Sequence, residues 1–342
     1  MLQLMSRLFL LLLVLVAIGI ALGNWWLNRY LDTSLPLDSP TVVDIPPGAS
    51  LTSQARKMAE RGILTFPRVL TAYARLSGQT AIKAGEYQLE QGDTPRDLLT
   101  MWVEGDVIQY SVTFPEGLRF SEWLVLLGRV EKLDHLLTGK TGQAVLAELG
   151  LELEHPEGWF FPDTYSYRAG DTDRDILLRA HDRMEQVLAE EWQNRADGLP
   201  YASAYEALIM ASIIEKETGV PEERGEIAGV FVRRLQKGMR LQTDPTVIYG
   251  LGDAYRGNIR RRHLLEHSDY NTYRIDGLPP TPIAMPGREA IHAALHPEEG
   301  DSLFFVAKGD GSHYFSTTLE EHRKAVQEFQ LKRRSDYRSQ PR

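Results

Sequence analysis

A carboxylate that continues an apolar helical stripe is the first feature of this chain with chemical consequence. In Leu208–Gly219, read Leu-Ile-Met-Ala-Ser-Ile-Ile-Glu-Lys-Glu-Thr-Gly, the residues Met210, Ile213 and Ile214 recur at helical spacing. Glu217 takes the next position on that face. Gly219 and Pro221 stop the helix, which puts Glu217 on its last turn. Half-burial against isoleucine disfavours the ionised form and raises the pKa of such a group. A carboxylic acid kept protonated near neutral pH suits acid-assisted cleavage of a sugar bond. The same pattern also describes a glutamate that merely lifts its head to solvent at a helix end. Glu215 falls on the other side of the helix, above Ala211 and Ser212.

Other chemistries find less support. His263 with His267, and His292 with His296, are i, i+4 pairs, but neither sits in His-Glu-x-x-His, and His296-Pro297 leaves the helix, so no metal is expected. No Gly-x-Ser-x-Gly elbow is present, and Ser212 lies opposite Ile214. No glycine-rich phosphate cradle occurs; Gly309–Gly311 reads as a hairpin turn, and no cofactor is expected. The absence of cysteine excludes disulfides, thiolate metal sites and thiol catalysis. A net charge of −9 without a long Lys/Arg patch argues against nucleic acid as a partner. Carboxylates remain. Two-carboxylate glycosidases oppose an acid to a base or nucleophile, and Asp244 is a possible partner for Glu217. Glu157, Asp163 and Glu226 are weaker candidates, expected at the surface.

The elements that must position these residues make an α+β chain of 342 residues, 43% hydrophobic, long enough for two or three domains. Residues 1–31 read as a short stub and an uncleaved signal anchor. From Leu8 to Leu27 only Asn24 is strongly polar, a run of about 30 Å as helix. Arg7 flanks one side, and Trp25, Trp26 and Tyr30 form an aromatic belt on the other. With so short a head, the large domain is placed outside the cytoplasmic membrane. Residues 32–47, with four prolines, read as a spacer. Residues 48–107 read as a small α+β module, with helices capped at Ser50 or Thr52 and running to Arg61, at Phe66–Leu76 and at Arg96–Val103, and a strand at Gly85–Leu89.

Residues 108–342 read as one larger mixed α+β domain. Expected there are a strand at Ile108–Phe114, a helix at Ser121–Leu137, and a long amphipathic helix at Asp173–Trp192. A helix at Glu222–Gly238 carries Ile227, Val230, Phe231 and Leu235 on one stripe, with Arg233, Arg234 and Lys237 outside it. Asp244-Pro245 caps a segment ending at Gly250, Arg288–Leu295 is a short helix, and Leu303–Ala307 pairs with His313–Phe315. Leu319–Lys332 closes the fold ahead of a solvated tail, Arg333–Arg342. The aromatic run Gly158–Tyr167 suits either a groove on which sugar rings stack or a packed core turn.

Several of these motifs carry a resemblance. Ala211–Thr218, Gly238–Gly250, Tyr270-Asn271-Thr272-Tyr273, Gly277-Leu278-Pro279-Pro280 and Ala294-Leu295-His296-Pro297 together resemble the endolytic murein transglycosylase (MltG, YceG-like) family, in the same order. Gly85-Glu86-Tyr87-Gln88-Leu89, with the capped turn after it, resembles a LysM-like module. The resemblance implies a single catalytic glutamate at Glu217, with Gln242, Thr243, Asp244, Tyr249, Tyr270 and Asn271 in the glycan groove. It implies cleavage of the β-1,4 bond between N-acetylmuramic acid (MurNAc) and N-acetylglucosamine (GlcNAc) in nascent peptidoglycan strands, with 1,6-anhydro ends. It also implies a site at the outer face of the cytoplasmic membrane, on its periplasmic side, near penicillin-binding synthases. The rival readings are a water-using muramidase, a catalytically silent glycan-binding scaffold for a synthase, and a zinc amidase acting on stem peptides.

Overall fold

The computed structural model describes residues 2–331. The expected tail Arg333–Arg342 and the last residue of the expected closing helix, Lys332, lie outside the described residues. The chain divides into two compact units, Met1–Tyr110 with Ser166–Asp171, and Ser111–Tyr165 with Thr172–Arg342.

In the first unit, helix α1 (Leu2–Leu31) is long and apolar enough over Met5–Leu31 to cross a membrane. Its last turn differs from the rest. Leu31 is fully buried, and Leu27 and Tyr30 pack against the same core. Strands β1 (Thr41–Ile45) and β2 (Gly85–Leu89) pair antiparallel, from Thr41 opposite Leu89 to Ile45 opposite Gly85. Helices α2 (Leu51–Glu60), α3 (Pro67–Leu76) and α4 (Pro95–Glu104) complete the unit. Val43, Ile45, Tyr87 and Leu89 share one sheet face, and they meet Ala55, Met58, Leu70, Leu98 and Trp102 in the core. Local chemistry agrees with this packing. Ser50 accepts the Ser53 amide to start α2, and Thr94 with Asp97 makes a capping box for α4.

The spacer expected at residues 32–47 is corrected by β1, and Leu35 is buried in the same core. Thr-Val-Val-Asp-Ile does alternate, but it is short and flanked by prolines. Only its pairing with β2 makes it a strand.

The second unit is organised around helix α8 (Ala204–Glu217), whose residues Ala207–Ile214 are all buried. Helices α7 (Asp173–Gln193), α9 (Arg224–Gln236), α10 (Asp244–Leu251) and α12 (Arg288–Leu295) pack against it or against its neighbours. A core helix of this kind is apolar all round, so a stripe alone understates its burial. Strands β3 (Tyr110–Thr113) and β4 (Thr164–Tyr167) each run from one unit into the other along the chain, and β5 (Phe304–Ala307) forms a hairpin with β6 (His313–Ser316) in the second unit. Helices α5 (Phe120–Leu127), α6 (Gly142–Leu149), α11 (Arg261–Leu265) and α13 (Leu319–Val326) complete it, and a π turn at Gln327–Leu331 follows α13.

Two expectations change here. The helix expected at Ser121–Leu137 ends at Leu127, where Gly128 caps it. Leu133 and Leu137 are instead buried in an irregular segment, and the Asp173 carboxylate accepts the amides of Leu136 and Leu137 at 3.0 Å each. The aromatic run resolves to core. Phe160, Phe161, Tyr165 and Tyr167 are buried, and Phe160 stacks on Phe120 at 5.0 Å. Gly158 precedes this run with φ of 85°, and a Cβ there would lie 2.5 Å from Cγ of Pro282. Only glycine meets both demands.

Candidate active site

Glu217 is the last residue of α8, in line with buried Met210, Ile213 and Ile214 as the spacing predicts. It is half-buried, and its Oε1 accepts a hydrogen bond from the Thr243 hydroxyl. Burial pushes the carboxyl up to about 7, and the nearby Asp244 charge pushes the same way. The Thr243 hydrogen bond and the Arg234 guanidinium oppose them. The acid is thus poised at neutrality.

A threonine cluster holds Thr243 in place. Its amide donates to the Thr272 hydroxyl at 3.0 Å, and its carbonyl accepts from the Thr246 hydroxyl at 2.8 Å. Thr246 and Thr272 bond each other at 2.9 Å, and all three threonines are buried. Gln242, at φ of 54°, anchors the turn through its backbone amide to the Thr272 carbonyl at 3.2 Å, and its side chain is exposed. Thr243 is the N-cap of α10, so Asp244 is the first residue of that helix rather than its cap. Asp244 is exposed and accepts from the Tyr273 hydroxyl at 2.8 Å.

The structure divides the expected groove residues into groups. Thr243 bonds Glu217, the Asp244 charge acts on it, and Gln242 precedes them on the same turn. Tyr249 and Tyr270 lie at the other end of α10, with ring centroids 4.9 Å apart. The Tyr249 hydroxyl donates to Oε2 of Glu157 at 2.9 Å, and the Arg119 guanidinium lies 5.2 Å from the Tyr249 ring centre. Asn271 is buried in its own loop. Its amide nitrogen donates to the carbonyls of His263 at 3.0 Å and Glu266 at 2.5 Å, and its oxygen accepts the Tyr273 amide at 3.1 Å. That side chain staples the loop that carries Thr272 and Tyr273.

Among the weaker carboxylates, Asp163 is exposed and Glu226 half-buried, but Glu157 is buried, a correction to its expected surface position. It accepts the Phe120 amide at 2.8 Å as well as the Tyr249 hydroxyl, and burial raises it to about 7. It lines a cleft of about 840 Å³ with Arg119, Leu124, Lys140, His155 and Tyr249. Glu217 does not line that cleft. Glu215, on the far side of α8, accepts the Gly287 amide at 3.1 Å, and burial raises its pKa too.

Arg234, like Glu157, lies deeper than its charge suggests. It is buried, not outside the stripe of α9. Its guanidinium donates to the carbonyls of Leu303 and Leu241 at 2.7 Å each and of Arg240 at 3.3 Å. The signal was present, because position 234 follows 227, 230 and 231 at helical spacing. Tyr273 and Thr272 were also missed as contributors, although both lie within the Tyr-Asn-Thr-Tyr motif.

Ser212 is buried, donating to the Ile209 carbonyl at 2.7 Å and accepting the Ile283 amide at 2.9 Å. Of the histidine pairs, His292 and His296 stack at 4.2 Å beside Glu191, and one ligand atom from each of the three lies within 4.8 Å of the others. Glu191 also binds Arg288 at 2.8 Å, and His296 meets the Asn194 carbonyl at 2.7 Å, so protein partners already satisfy this group. His263 accepts the Arg260 amide at 3.1 Å.

The fold and the site define an α+β chain with one apolar N-terminal helix and a half-buried acid at a helix end. The family model described as the YceG-like family matches residues 43–328, and the chain belongs to that family of endolytic murein transglycosylases. It is 30% identical over 328 residues to the endolytic murein transglycosylase of Bacillus subtilis, covering 90% of each chain. It is 26% identical over 356 residues to the endolytic murein transglycosylase of Streptococcus pneumoniae, covering 92% of this chain and 64% of that longer one. A crystal structure of a yceG-like protein from Listeria monocytogenes is similar to it, with a TM-score of 0.51 and 29% identity, covering 84% of this chain and 99% of that one.

Proposed function

We propose that this chain is an endolytic lytic transglycosylase, a lyase that cuts the MurNAc-β-1,4-GlcNAc bond within nascent peptidoglycan strands and leaves 1,6-anhydro-MurNAc ends. One observation carries the reading: a half-buried glutamic acid, raised to about 7, held by Thr243 at the end of α8. The names of the relatives support it.

Protonated Glu217 gives its proton to the leaving glycosidic oxygen. Thr243 occupies Oε1 as a donor, so Oε2 is the oxygen that carries the proton. The resulting carboxylate then takes the proton of the muramoyl 6-hydroxyl, whose oxygen attacks the anomeric carbon and closes the anhydro ring. The nucleophile belongs to the substrate, so neither water nor a second carboxylate is required. Gln242 and Asp244 flank the acid and contact the glycan, and Tyr249 and Tyr270 extend that groove along α10.

A second reading rests on Asp244, which is close enough to raise the pKa of Glu217. A carboxylate beside an acid is what a water-using muramidase needs. The two readings differ in product.

The anchor α1 supports a single-pass protein of the cytoplasmic membrane with both folded units on the periplasmic side, working beside penicillin-binding synthases to end glycan elongation. The Gly-x-Tyr-x-Leu strand, closing a β1-α2-α3-β2 unit, supports the LysM-like reading. Mass spectrometry of purified peptidoglycan digested by wild type and by Glu217→Gln tests the proposal. Anhydro ends from wild type alone are expected. Reducing ends select the muramidase, and equal digestion by Glu217→Gln overturns the role of the acid.

A further inference from the structure

The join between α1 and the first unit has no slack. The apolar run ends at Leu27, and Leu31 is already 0% exposed in the core of the folded unit. Four residues of helix rise about 6 Å. The headgroup layer on each side of a bilayer is about 5–8 Å thick, the difference between its total and hydrocarbon thickness. A unit whose core begins one helical turn beyond the hydrocarbon therefore starts inside the headgroups.

The joint is also stiff. Arg96 on α4 binds Asp32 at 2.8 Å and Asn28 at 3.2 Å, and donates to the Tyr73 hydroxyl at 2.8 Å. The Tyr30 hydroxyl donates to the Phe66 carbonyl at 3.1 Å. Between α2 and α3, Phe66 is 46% exposed, yet its ring lies 5.5 Å from those of both Trp26 and Tyr30. Trp26 is itself 44% exposed. Three aromatic rings, one supplied by the folded unit and two by the anchor, thus form one patch at the depth where such rings favour the membrane interface. Arg29 and Arg68 are exposed beside it in sequence, and the nearby Asp32 is neutralised by Arg96.

We propose that the first unit is seated directly on the lipid surface, with Phe66 joining Trp26 and Tyr30 in the bilayer interface. The unit is held at fixed height rather than swinging on a tether. The occupant of the patch is the membrane, because the same helix that contacts Phe66 crosses it. The inference rests on the anchor reading and not on the cleavage chemistry.

The chain has no cysteine, so single cysteines can be placed in the full-length protein and labelled with an environment-sensitive fluorophore. Three positions are compared in vesicles of phosphatidylcholine with phosphatidylglycerol: Val16 in the anchor, Thr65 beside Phe66, and Glu104 at the far end of α4. Blue-shifted emission and quenching by lipids spin-labelled near the headgroup are expected at Thr65, with deeper quenching at Val16 and neither effect at Glu104. Phe66→Asp should return the Thr65 probe to the emission of the Glu104 probe. Phe66→Trp, which keeps an interfacial ring, should retain the quenching and shows that the site tolerates substitution. Identical behaviour at Thr65 and Glu104 overturns the seating. An unquenched Val16 probe overturns it by a separate route, removing the anchor, and leaves the transglycosylase reading untouched.

Discussion

Replacing Thr243 with valine isolates the force that holds the acid down. Valine keeps the shape and β-branching of threonine, and the backbone bonds of residue 243 to Thr272 and Thr246 survive. Only the hydroxyl that donates to Glu217 is lost. A hydrogen bond to a charged group contributes about 1.5–3 kcal/mol. At 1.36 kcal/mol per pKa unit, its loss raises the acid by about one to two units. The sign follows from which form is favoured: the hydroxyl stabilises the carboxylate, so its removal favours the protonated acid. Activity that needs the protonated form falls as pH rises through the pKa, near 7 in the wild type. The falling limb of the rate profile should therefore move to higher pH in Thr243→Val, while activity at acid pH is retained. Initial rates of anhydro-end release from purified glycan strands between about pH 5 and 9 read this directly. Thr246→Val is the matched control. Its hydroxyl bonds the Thr243 carbonyl and Thr272 but not the acid, so it should lower stability without moving the limb. A limb that stays in place in Thr243→Val, or moves to lower pH, refutes the assignment.

Two further outcomes follow from the same network. Arg234→Met strands the buried Leu241 carbonyl and removes the donor from the part-buried carbonyls of Leu303 and Arg240, and should cost about 1–3 kcal/mol, seen as a lower urea midpoint; an unchanged midpoint would place that guanidinium in solvent. Glu217→Gln should stabilise the fold at alkaline pH and leave it unchanged in acid. The folded carboxyl is raised from 4.5 to about 7, so its stabilising proton is fully present below about 4.5 and lost as pH rises through about 7. Melting temperatures of the two proteins at about pH 4 and pH 8.5 check this, and a variant less stable than wild type at the higher pH contradicts it.

Legibility in the sequence followed the agreement of local and global forces. Helix α12 was expected at the limits where it is found, Arg288–Leu295, because its apolar spacing and its breaker, His296-Pro297, give one answer. Glu217 was legible because it shares a face with Met210, Ile213 and Ile214. Its partner Thr243 was placed near it by resemblance alone, since nothing in spacing joins residues 26 apart. Helix α6 attracted no expectation, although Thr141 caps it and Val145, Leu146 and Leu149 are buried. Eight residues make a marginal helix in isolation, and packing selects it. The spacer reading failed for a similar reason, because β1 exists only against β2. At Arg234 the helical period, not the charge, decides burial.

The two glutamates near the end of α8 show why position, and not residue type, makes the acid. Both are raised by burial. Glu215 is tied by the Gly287 amide, a fixed donor that a carboxylate must keep, and the charges of Glu116 and Arg224 act on it in opposite senses. Its Oε2 holds a loop to the helix. Glu217 closes the helix, where the last carbonyls gather partial negative charge and oppose ionisation in the same sense as burial. Against that stand one hydroxyl and the Arg234 guanidinium, and the balance lies near neutrality. A third carboxyl, the buried Glu157, reaches about 7 like Glu217, with both oxygens occupied, by the Phe120 amide and the Tyr249 hydroxyl. A raised pKa is therefore common to these sites. What separates Glu217 is its place at the helix end and a partner that is a neutral hydroxyl rather than a backbone amide, with Oε2 left to give up a proton and recover one.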